Sequence, residues 1–341
     1  MKKNTMKKLL AVGCAGAMSL TLAACGNGNT NTPSSSGEGG DGVKIGILQY
    51  AQHPSLDNCY DGVLQGLEEA GYVDGENGVS IEFQNANGST SDADMMAKTM
   101  VSSGCDMIIA IATPAAMSAY SAAKDENVPV IYCAASDPVG SGLAQSLDNP
   151  QTGASGTMDS LNLEGQMQMI RAMLPEADTI GILYTTSEPN SVAHLQTFQE
   201  LAPEYGFTIE AVGITNESEV ASGAAALVAR GVDCVNNFTD NNVVNNLSTL
   251  LHATDEAGIP VFGSEEEQVR NGCVASESID YVALGAQTGQ MAASVLSGEA
   301  DIMTLPVSVV TESSPVYSAA NLEKFGMTLP ADYSDAVNLD E

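Results

Sequence analysis

The sequence predicts an α/β fold in which two doubly wound parallel-sheet lobes follow each other along the chain. Short runs rich in Val and Ile alternate with amphipathic stretches after residue 42, a rhythm typical of parallel strands joined by crossover helices. The rhythm then restarts, because Thr179–Tyr184 (TIGILY) echoes Val43–Leu48 (VKIGIL). The roughly 300 residues of this part are enough for two domains of ordinary size.

The N-terminal residues predict export and attachment to a lipid. Four lysines precede an apolar run, Leu9–Leu22, which is shorter than the roughly 20 residues that a membrane-spanning helix needs. The segment Leu22-Ala-Ala-Cys25 resembles the lipobox of bacterial lipoproteins, in which the cysteine is acylated and becomes the new N-terminus. We therefore expect a signal peptide at 1–24 and a lipid-modified, palmitate-bearing Cys25 at the extracytoplasmic face of the cell membrane. An ordinary signal peptide with an incidental cysteine is the alternative.

The segment 25–42 and the overall composition narrow the classes of partner. Residues 25–42 are rich in Gly, Ser and Asn, which predicts a flexible tether. With 11 basic and 43 acidic side chains the formal net charge is −32, and such a surface repels nucleic-acid phosphate, so no nucleic-acid partner is expected. The five cysteines after the tether show no C-x-x-C spacing, which favours free thiols, and the three isolated histidines predict no metal site. No cofactor is expected.

The first half of the body is expected to contain four strands and three helices. The strands are predicted at 43–48, 79–84, 107–112 and 128–133, and the helices at 56–70, 92–103 and 114–126. Gly71 and Gly104 follow two of these helices directly, which is a common signal for the end of a helix.

The second half repeats this order of elements. Strands are predicted at 179–184, 207–212, 232–236 and 259–262, with helices at 191–205, 220–229 and 243–257. A helix at 281–296 and a strand at 305–311 then return the chain to the first half. We assign 43–153 plus 279–308 to lobe 1 and 154–278 plus 309–341 to lobe 2.

The residues that follow the predicted strands are candidate ligand contacts. Ligands of open α/β sheets bind just beyond the carboxyl ends of the strands, and two facing sheets bring these ends to one cleft. The candidates are Gln49, Tyr50, His53, Thr113, Pro114, Ser136, Asp137, Tyr184, Glu188, Asn190, Thr239, Asp240 and Glu265.

Segments at these positions resemble a known family. The sequence is similar to ABC-transporter substrate-binding proteins of the tryptophan/tyrosine type over essentially the whole body and in the same order. The similar motifs are Lys44–Gln49 with His53-Pro54 and Leu56-Asp57, Ala112–Ala116, Ser136–Pro138, Ile180–Tyr184 with Glu188–Ser191, Thr239–Asn241, and Asp280-Tyr281 with Leu284-Gly285. The resemblance implies a type I periplasmic-binding-protein fold with three hinge crossings, and an ABC permease and ATPase as partners. It also implies an amino acid as ligand, since the members whose ligand is known bind aromatic amino acids.

An α-amino acid needs a site for each of its charged groups. Thr113 begins a predicted helix, and backbone N–H groups and a hydroxyl at such an end suit a carboxylate. Asp240 is the first candidate for the ammonium, with Glu188 and Glu265 in reserve, and Tyr50 and Tyr184 offer aromatic walls. Thr113, Asp137 and Asp240 have an alternative role, since Thr and Asp are also the residues that cap helices.

Three kinds of function remain open. The first is a monomeric solute-binding lipoprotein that captures a small solute between its lobes and delivers it to the permease. A ligand-sensing receptor lobe for a membrane signalling protein is the second, and a cell-surface enzyme is the third. We expect no enzyme, because G-x-S-x-G, Walker, H-E-x-x-H and G-x-G-x-x-G motifs are absent from the required contexts.

Overall fold

The computed structural model describes residues 42–340, and two α/β lobes account for them. The predicted signal peptide, Cys25 and the tether up to residue 41 lie outside the described residues. Among the residues that are described, no helix is both long and apolar enough to cross a membrane.

The chain first builds most of lobe 1. In chain order the elements are β1 (Lys44–Gln49), α1 (Pro54–Glu69), β2 (Ser80–Asn85), α2 (Thr90–Ser102), β3 (Met107–Ile111), α3 (Thr113–Ala123), β4 (Val130–Cys133) and β5 (Ala154–Asp159). Val and Ile fill the central strands β1, β3 and β4, which are buried along most of their length, as expected for strands covered on both faces.

A first crossing after β5 leads into lobe 2. Its elements are α4 (Leu163–Met173), β6 (Thr179–Thr185), α5 (Pro189–Leu201), β7 (Thr208–Ile214), α6 (Val220–Arg230), β8 (Cys234–Asn236), α7 (Asn241–Asn245), α8 (Leu247–Ala257), β9 (Val261–Phe262), α9 (Glu266–Arg270) and β10 (Ala275–Ser278).

The chain then crosses twice more. It returns to lobe 1 with α10 (Tyr281–Leu296) and β11 (Ser308–Val310), and it ends in lobe 2 with β12 (Ser314–Tyr317), α11 (Ala319–Lys324) and β13 (Val337–Asn338). The three crossings expected from the family resemblance are therefore present, and the predicted α/β class is confirmed.

Each lobe has its own parallel sheet. The strands of lobe 1 lie in the order β11-β5-β4-β3-β1-β2, and those of lobe 2 in the order β7-β6-β8-β9, with every neighbouring pair parallel. Lobe 2 carries a further small sheet, β10-β12-β13. The lobes have separate hydrophobic cores, one in lobe 1 and two in lobe 2.

The first crossing comes later than the sequence indicated. The segment 154–159 was assigned to lobe 2, but it forms β5, which pairs with β4 and with β11 inside the sheet of lobe 1. Likewise the boundary at 308 falls within β11, which belongs to the same sheet. The physical reason is the composition of β5, ASGTMD, which offers a single β-branched residue.

Helices α1 and α10 of lobe 1 approach each other backbone to backbone. Gly62 and Gly66 of α1 face Gly285 and Gly289 of α10, and a Cβ added at any of the four would collide with the other helix's backbone. At Gly62 the obstacle is the carbonyl oxygen of Val282. Since α1 and α10 both begin at the interlobe cleft, this contact fixes the relative position of the two helix starts.

The cysteines of the described residues are buried and unpaired, as the sequence predicted. They are Cys59, Cys105, Cys133, Cys234 and Cys273. Burial raises the pKa of four of them, so these thiols are protonated at neutral pH.

Candidate functional site

A cavity lies between the two lobes, at the carboxyl ends of the strands of both sheets. The space between its lining atoms, including the part that is open to solvent, is about 320 Å³. Its lining residues come from both lobes and are His53, Ser55, Leu56, Ala112, Thr113, Ala134, Ser136, Asp159, Asn190, Thr239, Asn241 and Tyr281. The strand-end rule therefore predicted the location of the cavity.

Two strained alanines form part of the lobe 1 wall. Ala112 follows β3 with φ of 78°, and Ala134 follows β4 with φ of 55°, a region that residues with a side chain rarely occupy. Such strain concentrates at functional sites. Ala112 precedes the first turn of α3, and no side chain caps that turn. The N-terminal N–H groups and the positive dipole end of this 11-residue helix thus face the cavity region without an internal anion.

A chain of hydrogen bonds joins the polar groups of the same wall. The backbone N–H of Ser136 donates to Thr113 Oγ1 at 3.2 Å, and Ser136 Oγ donates to Asp159 Oδ1 at 2.9 Å. The hydroxyl of Tyr281 donates to Asp159 Oδ2 at 3.0 Å. Each carboxylate oxygen of Asp159 thus receives one side-chain hydrogen bond, which leaves acceptor capacity on both.

Burial raises the pKa of Asp159 to about 6, while the hydrogen bonds from Ser136 and Tyr281 act in the opposite direction. A carboxyl group with this pKa is mostly ionised at pH 7, and no Lys or Arg is among the residues that line the cavity. A positive charge brought close to Asp159 would favour its ionised form further.

The lobe 2 wall is built around Glu188. This residue precedes α5, and its Oε2 accepts hydrogen bonds from the Asn241 side chain at 2.6 Å, from the Asn241 N–H at 3.1 Å and from the Asn190 side chain at 3.3 Å. Burial, and then the nearby charge of Asp240, holds the pKa of Glu188 well above its usual range. Glu188 thus orients the two asparagines that line the cavity, and does not line it itself.

Asp240 is buried and its carboxylate is fully occupied inside lobe 2. Oδ2 accepts from the Thr185 N–H at 2.5 Å and from Ser191 Oγ at 2.7 Å. Oδ1 accepts from Thr185 Oγ1 at 2.8 Å and from the Val243 N–H at 3.0 Å, the latter as the cap of α7. Asp240 is not among the lining residues, and these four bonds favour the helix-capping alternative over contact with a ligand.

His53 joins the lobes. Its Nε2 lies 3.3 Å from Asn241 Oδ1 across the cleft, and burial lowers the pKa of His53 to about 4, so the ring is neutral. His53 also borders a wider outer groove of about 640 Å³, whose other lining residues include Gln52, Asn245 and Glu265. Glu265 caps α9 through bonds to the N–H groups of Glu267 and Gln268, and burial raises its pKa to about 7.

The remaining predicted residues lie outside the cavity lining. Gln49 and Tyr50 make contacts within lobe 1: Gln49 Nε2 donates to Asp57 Oδ1 in α1, and the Tyr50 hydroxyl donates to the carbonyl oxygen of Gly88. Pro114 occupies the first turn of α3, and Asp137 closes a turn by accepting from the Gly140 N–H at 2.8 Å. Tyr184 packs against a core of lobe 2.

Seven of the residues that line the cavity are outside the predicted set, and three of them, Asp159, Asn241 and Tyr281, belong to the hydrogen-bond networks described above. Asp159 was missed because β5 was not recognised, although the strand-end rule would have marked it. Asn241 and Tyr281 belong to the motifs of the family resemblance, and each begins a helix directly after a capping aspartate. Within the described part of the chain, no group of three or more His, Cys, Asp or Glu side chains could hold a metal ion.

Comparisons with known proteins find relatives along most of the chain. A family profile described as "ABC transporter substrate binding protein" matches residues 44–336. The chain is 34% identical over 340 residues to a tyrosine-binding protein of Clostridioides difficile (strain R20291), covering 98% of this chain and 97% of that protein.

Solved structures extend the comparison. An ABC domain from Streptococcus pneumoniae in complex with L-Trp is 34% identical with a TM-score of 0.83, covering 87% of this chain and 98% of that one. A ligand-free, open substrate-binding protein with adhesive properties from Clostridium difficile is also 34% identical, with a TM-score of 0.66, covering 87% of this chain and 99% of that one.

Proposed function

This chain belongs to the family of ABC transporter substrate-binding proteins, and we propose that it captures an amino acid between its lobes and delivers it to a membrane importer. The observation that carries the proposal is the pairing, in one cavity wall, of an uncapped helix start with a buried carboxylate. These two features are complementary to the two charged groups of an α-amino acid.

The α-carboxylate would lie at the start of α3, close to Thr113. Backbone N–H groups and the helix dipole stabilise an anion there, and the strained Ala112 turn shapes the approach. The α-ammonium would pair with Asp159, which retains acceptor positions and is largely ionised at pH 7. This assignment moves the ammonium from Asp240, whose acceptor positions are occupied, to Asp159.

Similarity to the tyrosine-binding and L-Trp-bound relatives supports an aromatic amino acid as the ligand. Leu56, Ala112 and Ala134 supply apolar surface in the cavity. The relatives are binding proteins, which supports capture without turnover, so we propose that the chain is no enzyme. A permease and an ATPase are its proposed partners, with the binding protein acting as a monomer.

The described conformation corresponds to a closed cleft in this proposal. Its TM-score is higher with the L-Trp complex than with the ligand-free open protein, 0.83 against 0.66. Contacts across the cleft include the His53–Asn241 bond and a 3.4 Å bond from Asn58 to Glu267. A ligand that contacts both lobes would shift the population toward this form, which the permease would then recognise.

The test is calorimetric titration of the protein and of its Asp159→Ala variant with a panel of amino acids. Removing the carboxylate should weaken amino-acid binding about 100-fold or more, since a buried charged hydrogen bond is lost. The melting temperature of the ligand-free variant reports separately on the two hydrogen bonds, from Ser136 and Tyr281, that the substitution also removes. Equal affinity in the two proteins would remove Asp159 as the ammonium partner, and silence of the wild type toward every amino acid would contradict the proposed ligand class.

The lipid anchor is proposed from the sequence around Cys25. In the producing cell, a Cys25→Ser variant should move from the membrane fraction to the soluble fraction, because a lipid chain is what holds a tethered protein on the bilayer. Fractionation and immunoblotting measure this. Retention of the variant in the membrane would contradict anchoring through Cys25.

A further inference from the structure

The three crossings between the lobes lie side by side, and backbone pairing places the third between the other two. Crossing 1 is residues 160–162, crossing 2 is residues 279–280 and crossing 3 is residues 311–313. Strand β11, which precedes crossing 3, pairs with β5, which precedes crossing 1. Strand β12, which follows crossing 3, pairs with β10, which precedes crossing 2. Crossing 3 is thus held to crossing 1 on the side of lobe 1 and to crossing 2 on the side of lobe 2.

The side chain of Ser313, the last residue of crossing 3, bonds to groups at the other two crossings. Its hydroxyl accepts a hydrogen bond from Asn162 Nδ2 at 3.1 Å and donates one to Glu277 Oε2 at 2.8 Å. Asn162 is the last residue of crossing 1 and caps α4, whereas Glu277 lies in β10, two residues before crossing 2. A single hydroxyl therefore connects the three crossings.

The connection continues from Glu277 into lobe 2. The backbone N–H of Glu277 donates to Gln166 Oε1 at 2.9 Å, and Gln166 Nε2 donates to Asn236 Oδ1 at 3.0 Å. Both side chains are buried, at 2% and 0% exposure, so a bond lost there leaves a polar group without a water partner. Asn236 ends β8, and Thr239, three residues later, lines the cavity. Hydrogen bonds and a short piece of backbone thus run from the hinge to the cavity wall.

The bonds of Ser313 belong to the closed arrangement of the lobes. Hinge opening changes backbone dihedral angles in the connecting segments, and Ser313 and Asn162 lie in two different segments. These bonds therefore hold while the crossings keep their present relative positions, and they add to the stability of the closed form. Coupling between distant sites needs an element with two states that both sites bias, and rotation about the crossings is that element.

We propose that Ser313 and Gln166 are positioning residues that connect the hinge to the cavity wall and favour the closed cleft, although neither lines the cavity. The inference rests on the proposed function, in which closure completes ligand capture. Loss of a positioning residue destabilises the closed form whichever ligand it holds, so affinity should fall by the same factor for every ligand. Loss of a residue that contacts the ligand would instead change the ratio between ligands.

The test measures the affinities of tyrosine, tryptophan and phenylalanine for Ser313→Ala and Gln166→Met by calorimetry. We expect each variant to bind these ligands about 3- to 10-fold more weakly than the wild type, the range for loss of an ordinary hydrogen bond. Methionine keeps the unbranched shape of glutamine without its amide. Ser314→Ala is the matched control, because Ser314 is the exposed neighbour of Ser313 and its hydroxyl is not part of this chain of bonds.

The ligand-free protein gives a second readout. Fluorophores at Lys98→Cys in α2 and Gln199→Cys in α5 report the distance between the lobes, since both positions are exposed and the cysteines after residue 42 are buried. In this background Ser313→Ala should lower the fraction of molecules with the short, closed distance, whereas Ser314→Ala should leave that fraction unchanged.

A double variant tests the connection itself. If Gln166 acts through the same chain of bonds, Ser313→Ala combined with Gln166→Met should lose less affinity than the product of the two single losses. Multiplicative losses, unchanged affinity in either single variant, or a changed ratio of tyrosine to tryptophan affinity would overturn the inference. Absence of binding by every amino acid would instead overturn the proposed function, and the distance measurement on the ligand-free proteins would still test the hinge.

Discussion

Two aspartates approach the cleft from opposite lobes, and they are equally buried, at 2% exposure for Asp159 and 0% for Asp240. Asp240 accepts four hydrogen bonds from its own lobe, two of them from backbone N–H groups. Asp159 accepts two from side chains, one on each oxygen. The difference shows that burial alone does not make a carboxylate a ligand contact, whereas free acceptor positions on a cavity wall do.

The acidic residues at the cleft also have different roles in the two lobes. In lobe 2 the cleft acids Glu188 and Asp240 are committed to holding helix starts and asparagine side chains in position. In lobe 1 a single acid stays available beside an uncapped helix. Lobe 1 is thereby suited to receive the charged end of a ligand, and lobe 2 to complete the enclosure.

Replacing Asp240 tests its structural role through the stability of the protein, and this change should have the largest effect. In Asp240→Ala two N–H groups and two hydroxyls lose their acceptor, so we expect the free energy of unfolding to fall by about 2–4 kcal/mol. Urea denaturation measures it. Ser191→Ala, which removes one of the four bonds, is the graded control and should cost about 1 kcal/mol. A stable Asp240→Ala protein that no longer binds amino acids would reverse the roles of the two aspartates.

The pH dependence of ligand affinity tests the role of Asp159, and we expect an effect of intermediate size. The folded-state pKa of Asp159 is raised to about 6 by burial, so the carboxylate gains a proton as the pH falls through that value. An ammonium ligand needs the ionised form, and affinity should therefore be about tenfold lower at pH 5 than at pH 7.

The Asp159→Asn variant is the control for this pH profile. It should bind more weakly at pH 7 and lack the Asp159 part of the decline, while any contribution from Glu188 or Glu265 remains in both proteins. Calorimetry at several pH values provides the data. Parallel profiles in the two proteins would assign the ammonium to another group.

A third aspartate at a strand end should give the smallest effect. The carboxylate of Asp137 accepts one hydrogen bond, from the N–H of Gly140, in a turn outside the cavity lining. We expect Asp137→Ala to lower the free energy of unfolding by less than about 1 kcal/mol and to leave ligand affinity unchanged. A tenfold loss of affinity would show that this turn contributes to the site.

The sequence predicted the repeated strand and helix order well because hydrophobic periodicity is a local property. Tyr281–Leu296 is a helix with the predicted bounds, while the helix expected at 243–257 is divided at Asn246 into α7 and α8. The elements β5, α4, α9, β10, β12, α11 and β13 were not predicted. Most are short, and β5 has weak strand propensity, so tertiary pairing decides their conformation.

The location of the site could be predicted from the sequence, but the roles of its individual residues could not. His53, Thr113, Ser136, Asn190 and Thr239 line the cavity as the strand-end rule expects. The rule cannot separate an aspartate that caps a helix from one that binds a ligand, because both follow strands and both precede helices. That distinction depends on which hydrogen bonds form in three dimensions, as Asp159 and Asp240 show.

The glycine contact between α1 and α10 has a mechanical consequence. Val or Leu at these four positions would place side chains between the two helices, and side chains can change rotamer when one helix moves against the other. Direct contact between the two backbones leaves no such freedom. We therefore expect the starts of α1 and α10, with His53 and Tyr281 beside the cavity, to move as one rigid body. The rotation of one lobe relative to the other is then confined to the three short crossings. A pair of fluorophores, one on each lobe, would therefore report the change in distance between the lobes directly.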